Sequence, residues 1–354
     1  MREWENNIRK VEPYVPGEQP KQDNVIKLNT NENPYPPTPM VTDAAGHFNM
    51  DKLRLYPDPE AADLVGAIAG YYGMNKNQVF VGVGSDDVIS MCFLTFFNSD
   101  KPILFPDITY SFYSVWADLY RIPYETPKLD ASFKIVPEDY YKENGGVIFP
   151  NPNAPTALYM ELDKVEDIIK HNQDVVVIID EAYIDFGGKS ALEFVNKYEN
   201  VLVVQTFSKS RSMAGMRIGY AFGNEKLIKA LNDVKYSFNS YTMNATSLAY
   251  GVCAVKDKQY FEKCVNEIIK TRQYSAQKLT ELGFTFPESK ANFIFATHKS
   301  VPAAKIFEEL KKRNIYVRYF NKPVIDNYLR ITIGTDEQME KLYAALEEIT
   351  GQVK

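Results

Sequence analysis

Five side chains that could carry out carbonyl chemistry fall close together in the second half of the sequence. Asp180 and Tyr183 follow one run of β-branched residues, Ser208 and Lys209 follow the next run, and Arg217 comes shortly afterwards. A lysine amine can condense with an aldehyde, and a carboxylate at the end of an apolar strand requires a cationic partner. A hydroxyl and an arginine together suit a phosphate group. The pattern therefore points to a cofactor that uses a lysine, an aspartate, a tyrosine, an arginine and hydroxyls for a phosphate.

Pyridoxal phosphate is a cofactor that requires each of these groups. Lys209 would form a Schiff base with its aldehyde, and Asp180 would keep the ring nitrogen protonated so that the ring accepts electrons. Ser208 and Arg217 would bind the phosphate, and Tyr183 would donate to the phenolic oxygen of the ring. Lys209, Asp180 and Tyr183 are therefore the predicted catalytic residues, and no metal site is expected.

Apolar runs that alternate with helical patterns indicate the elements that position these groups. Their lack of alternation predicts strands buried on both faces, as in a mostly parallel sheet flanked by helices. Ligands of such sheets bind beyond the carboxyl ends of the strands. The runs are 79–83, 103–105, 147–149, 175–179 and 201–204.

Polar residues after the first and last of these runs complete the predicted phosphate site. Gly84, Ser85 and Asp86 open a helix, and the backbone N–H groups at a helix N-terminus favour phosphate. Thr206 follows the last run and supplies a further hydroxyl.

The composition and the predicted elements along the chain indicate two domains and an N-terminal arm. Residues 1–40 are rich in proline and asparagine and should form an extended N-terminal arm that joins the smaller domain. Residues 41–256 carry the predicted sheet and should form a large α/β domain. Residues 257–354 begin with a long charged helix over 258–282 and should form a smaller α+β domain.

The composition argues against several classes of protein. The net charge of −6 gives no basic surface for nucleic acid or for an anionic membrane. Three widely spaced cysteines favour reduced thiols in the cytoplasm, and three isolated histidines argue against a metal site or a catalytic triad. Small-molecule substrates are the expected partners.

Asp180–Tyr183, Ser208–Lys209 and Arg217 resemble the core of the fold-type-I pyridoxal-phosphate-dependent aminotransferases. Further segments, in the family's order along nearly the whole chain, resemble the histidinol-phosphate aminotransferase group within the class II branch. These segments are Pro13–Gly17, Leu28–Pro34, Leu55–Asp58, Gly82–Asp86 and Tyr328–Gly334.

The resemblance implies roles for five more residues. Tyr110 would stack on the cofactor ring, and Tyr56 would reach the phosphate in the neighbouring subunit of a homodimer with shared active sites. Arg330 would bind the substrate carboxylate, and Arg318 would help to bind the phosphate of histidinol phosphate. Tyr14, on the arm, would close over that phosphate.

One turn departs from the family pattern. The family's asparagine that bonds the phenolic oxygen corresponds to Ala154, so the neighbouring Asn153 is the candidate to replace it. The family's glycine corresponds to Ala157, where a positive φ would be strained. Asn31, in the second matching segment, is a further candidate for substrate binding.

The resemblance implies a transamination between L-histidinol phosphate and 2-oxoglutarate that yields imidazole acetol phosphate and L-glutamate in histidine biosynthesis. An aromatic amino acid aminotransferase and a threonine-phosphate decarboxylase are the alternatives that use the same fold. A cofactor-sensing regulator is an alternative from another class, but it would need a DNA-binding module for which the chain has neither spare length nor basic charge.

Overall fold

A computed structural model describes residues 2–22 and 24–351 and contains two β-sheets packed against helices. The helices are α1 (Glu3–Asn6), α2 (Pro39–Gly46), α3 (Ala62–Tyr72), α4 (Gly84–Phe96), α5 (Phe112–Tyr120), α6 (Leu162–His171), α7 (Leu192–Val195), α8 (Glu225–Phe238), α9 (Ala245–Lys256), α10 (Lys258–Glu281), α11 (Ala303–Lys312) and α12 (Asp336–Gly351). The strands are β1 (Ile26–Leu28), β2 (Val79–Gly82), β3 (Ile103–Leu104), β4 (Tyr124–Glu125), β5 (Val147–Pro150), β6 (Val177–Asp180), β7 (Val201–Thr206), β8 (Gly219–Gly223), β9 (Phe284–Thr285), β10 (Phe293–His298), β11 (Ile315–Tyr319) and β12 (Leu329–Thr332).

The larger sheet has seven strands in the order β2-β8-β7-β6-β5-β3-β4. The neighbours from β7 through β4 are parallel, whereas β8 runs antiparallel to both β7 and β2. The predicted α/β fold with a mostly parallel central sheet is confirmed. The five predicted strands are present, and β4 and β8 are additional strands that the sequence pattern did not indicate.

Both faces of the larger sheet are buried, which explains the unbroken apolar runs of its strands. Val177 and Ile179 pack into the core on one face, and Ile178 packs into the core on the other face. All three side chains have no exposed surface. Because helices cover both faces, the polar groups of the sheet are accessible mainly at the strand ends.

The smaller sheet has five strands in the order β1-β11-β12-β10-β9. The N-terminal segment contributes β1, which pairs in parallel with β11 through Ile26 and Ile315. Within the predicted arm, the described residues form α1, β1 and the start of α2 and no further helix or strand. The long predicted helix is α10. The domain limits at 40 and 256 stay predictions, and their outer ends at Met1 and 352–354 lie outside the described residues.

In the part of the chain that the structure describes, no helix is both long enough and apolar enough to cross a bilayer.

Candidate active site

The N-terminus of α4 and the start of β8 approach each other closely because glycines occupy both positions. Gly84 has a φ of +85°, and a Cβ there would lie 2.5 Å from Nη2 of Arg217. A Cβ on Gly219 would lie 2.2 Å from the carbonyl carbon of Gly84. The Arg217 side chain lies over the first turn of α4, where Nη2 forms an ion pair with Oδ2 of Asp86 at 2.9 Å. Ser85 belongs to the same turn, so the structure brings these predicted phosphate ligands together.

Two buried hydroxyls lie at the end of β7. The Thr206 hydroxyl is 2.9 Å from the Ser208 hydroxyl and accepts the Ser208 N–H at 3.1 Å. Both residues are almost fully buried. The loop from β7 to β8 therefore presents two hydroxyls, Lys209 and Arg217 within one short segment.

Lys209 is hydrogen-bonded through its side chain and its backbone to the segment that follows β1. Its Nζ donates to the carbonyl oxygen of Thr30 at 3.1 Å. The side-chain amide of Asn33 donates to the carbonyl oxygens of Lys209 and Ser210 at 3.0 and 3.2 Å. The Lys209 Nζ also lies 5.8 Å from the centre of the Tyr183 ring. Among the described residues the amine therefore makes a single hydrogen bond, to a backbone carbonyl, and lies next to a second predicted catalytic residue.

Asp180 ends β6 as a buried carboxylate. Burial is the largest influence on its pKa and raises it from 3.8 to about 6, although two hydrogen bonds oppose this shift. The Tyr113 hydroxyl donates to Oδ2 at 2.7 Å, and the Ala182 N–H donates to Oδ1 at 3.2 Å. Within the described residues Asp180 forms no ion pair. Such a carboxylate is suited to a cationic ligand.

Tyr183 is linked to the smaller sheet through Asn31. The Asn31 side-chain amide donates to the Tyr183 hydroxyl at 3.0 Å, and its oxygen accepts from the Thr332 hydroxyl at 3.0 Å. The Asn292 amide donates to the Asn31 carbonyl oxygen at 3.0 Å. Asn31 has a φ of +58°, a conformation that asparagine tolerates better than most residues. The side chain of Asn31 is hydrogen-bonded to Tyr183 and Thr332, so Asn31 positions a predicted catalytic residue. Its own contact with substrate stays a prediction.

Two arginines lie side by side on the smaller sheet. Arg318 of β11 and Arg330 of β12 are register partners, so their side chains project from the same face. The Phe320 ring lies 5.5 and 5.7 Å from the two guanidinium carbons. Nη2 of Arg330 donates to Asn29, whereas its buried Nε has no hydrogen-bond partner among the described residues. Adjacent like charges are unfavourable, so this pair favours a ligand with more than one negative charge.

An aromatic cluster lies next to these arginines. Tyr14 stacks on Phe112 with ring centres 4.2 Å apart and lies 6.4 Å from Tyr110. Burial raises the pKa of Tyr14, and the charges of Arg318 and Arg330 oppose that rise. The structure therefore brings Tyr14 to the same region as both arginines. The Tyr110 hydroxyl donates to Asp86 at 2.7 Å, which places its ring beside the predicted phosphate site.

Tyr56 is placed differently from the other candidates. Its side chain is 82% exposed and stacks on Tyr241 with ring centres 4.6 Å apart. Among the described residues it forms no hydrogen bond with any other predicted site residue. Its predicted contact with a phosphate in a neighbouring subunit stays a prediction.

Asn153 is buried and lies in the turn that departs from the family pattern. Its amide nitrogen donates to the Ile108 carbonyl and to Thr156, and its oxygen accepts from Thr109. A bond from Asn153 to the cofactor would therefore require one of these contacts to be exchanged, and its cofactor role stays a prediction. Ala157 has a φ of +65°, so this turn adopts the conformation that the family's glycine would favour.

These residues fit pyridoxal phosphate as a set. The buried Asp180 would receive the protonated ring nitrogen as its cationic partner. Arg217, Ser208, Thr206 and the N-terminal turn of α4 would hold the phosphate, which would compete with Asp86 for the guanidinium. A side chain at position 84 would fill the space beside Arg217, and glycine keeps it open. Among the described residues no cluster of side chains could hold a metal ion.

Four residues that support the site were not predicted from the sequence. Tyr113 holds Asp180, Asn33 holds the Lys209 backbone, Thr332 holds Asn31, and Phe320 packs against both arginines. The sequence offers a weak signal for Asn33 and Thr332, because each belongs to a segment used in the resemblance. Tyr113 and Phe320 have no comparable signal.

The chain is similar to known proteins along nearly its whole length. The family model described as aminotransferase class I and II matches residues 23–346. A histidinol-phosphate aminotransferase of Clostridium botulinum (strain Okra / Type B1) is 50% identical over 350 residues, covering 99% of each chain. Histidinol-phosphate aminotransferase 1 of Hydrogenovibrio crunogenus is 53% identical, covering 98% of this chain and 97% of that protein.

Solved structures share the fold. The histidinol-phosphate aminotransferase of Clostridium acetobutylicum superposes with a TM-score of 0.85 at 22% identity, covering 93% of this chain and 100% of that chain. The enzyme of Sinorhizobium meliloti in complex with pyridoxal-5'-phosphate also gives a TM-score of 0.85, at 21% identity, covering 93% and 92%. These likenesses show the fold-type-I architecture of the chain.

Proposed function

Because the chain belongs to the aminotransferase class I and II family, we propose that it transfers the amino group of L-histidinol phosphate to 2-oxoglutarate. The products are imidazole acetol phosphate and L-glutamate, a step of histidine biosynthesis. The chain is an aminotransferase, and its cofactor is pyridoxal phosphate. Relatives that are about half identical over nearly the whole chain bear the name histidinol-phosphate aminotransferase, which supports this substrate.

The observation that carries the substrate proposal is the pair of arginines on β11 and β12. A phosphate monoester has up to two negative charges and three acceptor oxygens, so it can bind two guanidinium groups at once. The α-carboxylate of an aromatic amino acid offers one charge and requires one arginine. Arg318 and Arg330 in register, with Tyr14 beside them, match the phosphate better.

Bound pyridoxal phosphate supplies an aldehyde for the substrate amine and a ring that withdraws electrons from the substrate α-carbon. Lys209 is proposed to move the proton at that carbon, because among the described residues its Nζ has to give up a single hydrogen bond, to the Thr30 carbonyl. Asp180 holds a positive charge at the ring nitrogen. Tyr183 accepts from Asn31, so its own hydrogen is free to bond the phenolic oxygen. Tyr14, which stacks on Phe112, lies beside the two arginines.

The Arg318→Ala variant is expected to lose activity selectively. Removing a charge-assisted hydrogen bond costs about 1.5–3 kcal/mol, so kcat/KM for histidinol phosphate should fall roughly ten- to hundredfold. The glutamate half-reaction should change much less, because the α-carboxylate of glutamate carries a single charge and is proposed to bind Arg330. Arg330→Ala should impair both half-reactions. Steady-state kinetics with each amino donor separately would measure these losses.

A matched control for this substitution is Arg313→Ala. Arg313 forms ion pairs with Glu309 and Glu348 at the surface and lies two residues before the start of β11. It should leave kcat/KM for both donors unchanged. Equal losses for the two donors in Arg318→Ala, together with efficient turnover of phenylalanine by the wild type, would favour an aromatic aminotransferase instead.

We also propose that the enzyme is a homodimer in which Tyr56 serves the active site of the neighbouring subunit. The exposed ring of Tyr56, its stacking on Tyr241 and the neighbouring exposed Leu53 and Leu55 support this arrangement. An aromatic and aliphatic patch of this kind is typical of an interface.

Mixed dimers should reveal sharing of the active site. Lys209→Ala and Tyr56→Phe subunits are each expected to be nearly inactive as homodimers. A heterodimer of the two contains one site with both wild-type residues, so activity should return to about half the wild-type value per dimer. Co-expression with two affinity tags, followed by an activity assay of the purified heterodimer, would measure the recovery.

The control mixture is Lys209→Ala with Asp180→Ala. Both of these residues lie in the same chain's site, so each site of that heterodimer lacks one of them and activity should not return. If purified Lys209→Ala/Tyr56→Phe heterodimers remained inactive as well, Tyr56 would act within its own chain.

We place the reaction in the cytoplasm. Cys92, Cys253 and Cys264 are all free thiols, and two of them are buried. Unpaired cysteines of this kind are typical of proteins in reducing compartments.

A further inference from the structure

Tyr113 lies in the core between α5 and the larger sheet, and its hydroxyl ends at the active site. The ring packs edge-on against Phe105 at 5.8 Å and lies 6.4 Å from both Phe93 and Trp116. The residue has no exposed surface. Its one side-chain polar atom donates to Oδ2 of Asp180 at 2.7 Å.

The packing of Tyr113 does not by itself require a hydroxyl. A phenylalanine would fill the same aromatic surroundings, and a buried hydroxyl is costly unless it is hydrogen-bonded. Tyr140 provides a comparison within the same domain, since it is 1% exposed and its hydroxyl has no hydrogen-bond partner among the described residues. The Tyr113 hydroxyl, by contrast, has a single partner, and that partner is the predicted contact of the cofactor ring.

The bond constrains Asp180 in two ways. With Oδ2 bonded to Tyr113 and Oδ1 bonded to the Ala182 N–H, both carboxylate oxygens are fixed and the plane of the group is defined. Hydrogen bonds to a carboxylate also favour its charged form. They oppose burial and the negative charge of Asp86, and Lys209 acts in the same direction as the two bonds.

We propose that Tyr113 is a positioning residue that orients the Asp180 carboxylate toward the cofactor's ring nitrogen and favours its ionised form. This inference rests on the proposed function, in which Asp180 is the partner of that nitrogen. Tyr113 itself touches neither substrate nor the reacting atoms. Its effect should therefore be confined to properties that depend on the ring nitrogen.

The test compares two ligands in the full-length Tyr113→Phe variant. One ligand is pyridoxal phosphate, and the other is its analogue with a CH group in place of the ring nitrogen. Both carry the same aldehyde and phosphate, so only the contact with Asp180 differs. We expect the dissociation constant for pyridoxal phosphate to rise roughly tenfold, as for loss of a hydrogen bond to a charged group, and that for the analogue to change less than about twofold.

Kinetics of the loaded enzyme give a second measurement. In Tyr113→Phe, kcat should fall while the KM for the amino donor stays near the wild-type value, since the arginines and Tyr14 are untouched. Tyr140→Phe is the matched control, because it removes an equally buried hydroxyl that makes no bond. It should change neither dissociation constant and neither kinetic parameter.

The outcomes distinguish a failure of this inference from a failure of the proposed function on which it rests. If the wild type bound both ligands equally, the proposed contact of Asp180 with the ring nitrogen would fail, and the role of Tyr113 would fail with it. If the wild type preferred pyridoxal phosphate and Tyr113→Phe kept the same preference, only the role of Tyr113 would be overturned. Equal weakening of both ligands would likewise overturn it, by assigning Tyr113 to the shape of the pocket.

Discussion

Replacement of Lys209 by alanine is expected to reduce turnover by about 10⁴-fold or more, because the variant loses both the covalent attachment and the proton-transferring amine. Binding of the cofactor should persist, since Arg217, Ser208 and Asp180 remain in place. The fold should also persist, because the Lys209 Nζ contributes one hydrogen bond, to the Thr30 carbonyl. The variant should therefore be a stable protein that binds pyridoxal phosphate but hardly reacts.

Borohydride reduction followed by peptide mapping measures the attachment directly. In the wild type the reduced cofactor should be found on the peptide that contains Lys209, and in Lys209→Ala no lysine should carry it. Lys189→Ala is a suitable control, because that side chain is exposed and pairs with Glu193 at the surface. It should keep full activity and the adduct on Lys209. An adduct on any other lysine of the wild type would contradict the proposed mechanism.

Strand ends could be predicted from the sequence because burial on both faces leaves a clear signal. The runs at Val177–Asp180 and Val201–Thr206 are continuously apolar until polar residues begin at their carboxyl ends. The positions of Asp180 and Lys209 at one edge of the sheet follow from that pattern and from parallel pairing. Strand β8 was missed because glycines at Gly219 and Gly223 interrupt the apolar pattern, although all of its residues are buried.

Partners within the site could be predicted less well, because they depend on the order of strands in the sheet. Asp86 meets Arg217 since β8 pairs with β2, and that antiparallel pairing has no local signal. Asn31 contacts Tyr183 because β1, which precedes Asn31 in the chain, pairs with β11 of the smaller sheet. Tyr113 lies among apolar residues of α5, so its sequence context indicates an ordinary core residue. Contacts between distant segments are set by packing, which a single sequence specifies only through the whole fold.

Asp180 is expected to matter more for the chemical step than for the binding of substrate. Asp180→Ala should lower kcat roughly 10²- to 10³-fold, by analogy with the removal of other preorganised groups that stabilise charge in a buried site. The KM for histidinol phosphate should change little, because its phosphate is proposed to bind Arg318 and Arg330. Steady-state kinetics at saturating cofactor would separate these two effects. Turnover equal to the wild type would reduce Asp180 to a structural residue at the end of β6.

The pH dependence of stability offers an independent measurement on the cofactor-free chain. Burial raises the pKa of Asp180 from 3.8 to about 6, so between these values the folded chain retains a proton that the unfolded chain has lost. The free energy of unfolding should therefore fall as the pH rises through this window and stay level above it. A shift of this size corresponds to roughly 3 kcal/mol.

Asp180→Asn is the matched variant for that measurement, because the amide has nearly the same shape and does not titrate. Subtracting its unfolding free energy from that of the wild type removes the contributions of other buried acids such as Glu181, whose pKa burial raises to about 7. The difference should decline by roughly 3 kcal/mol between about pH 4 and pH 6, in favour of the variant at the higher pH. Saturating pyridoxal phosphate should cancel the decline, because a protonated ring nitrogen would compensate the buried charge. If the difference were independent of pH in the absence of cofactor, burial would not raise the pKa of Asp180. The carboxylate would then not need a cationic partner, on which its proposed role depends.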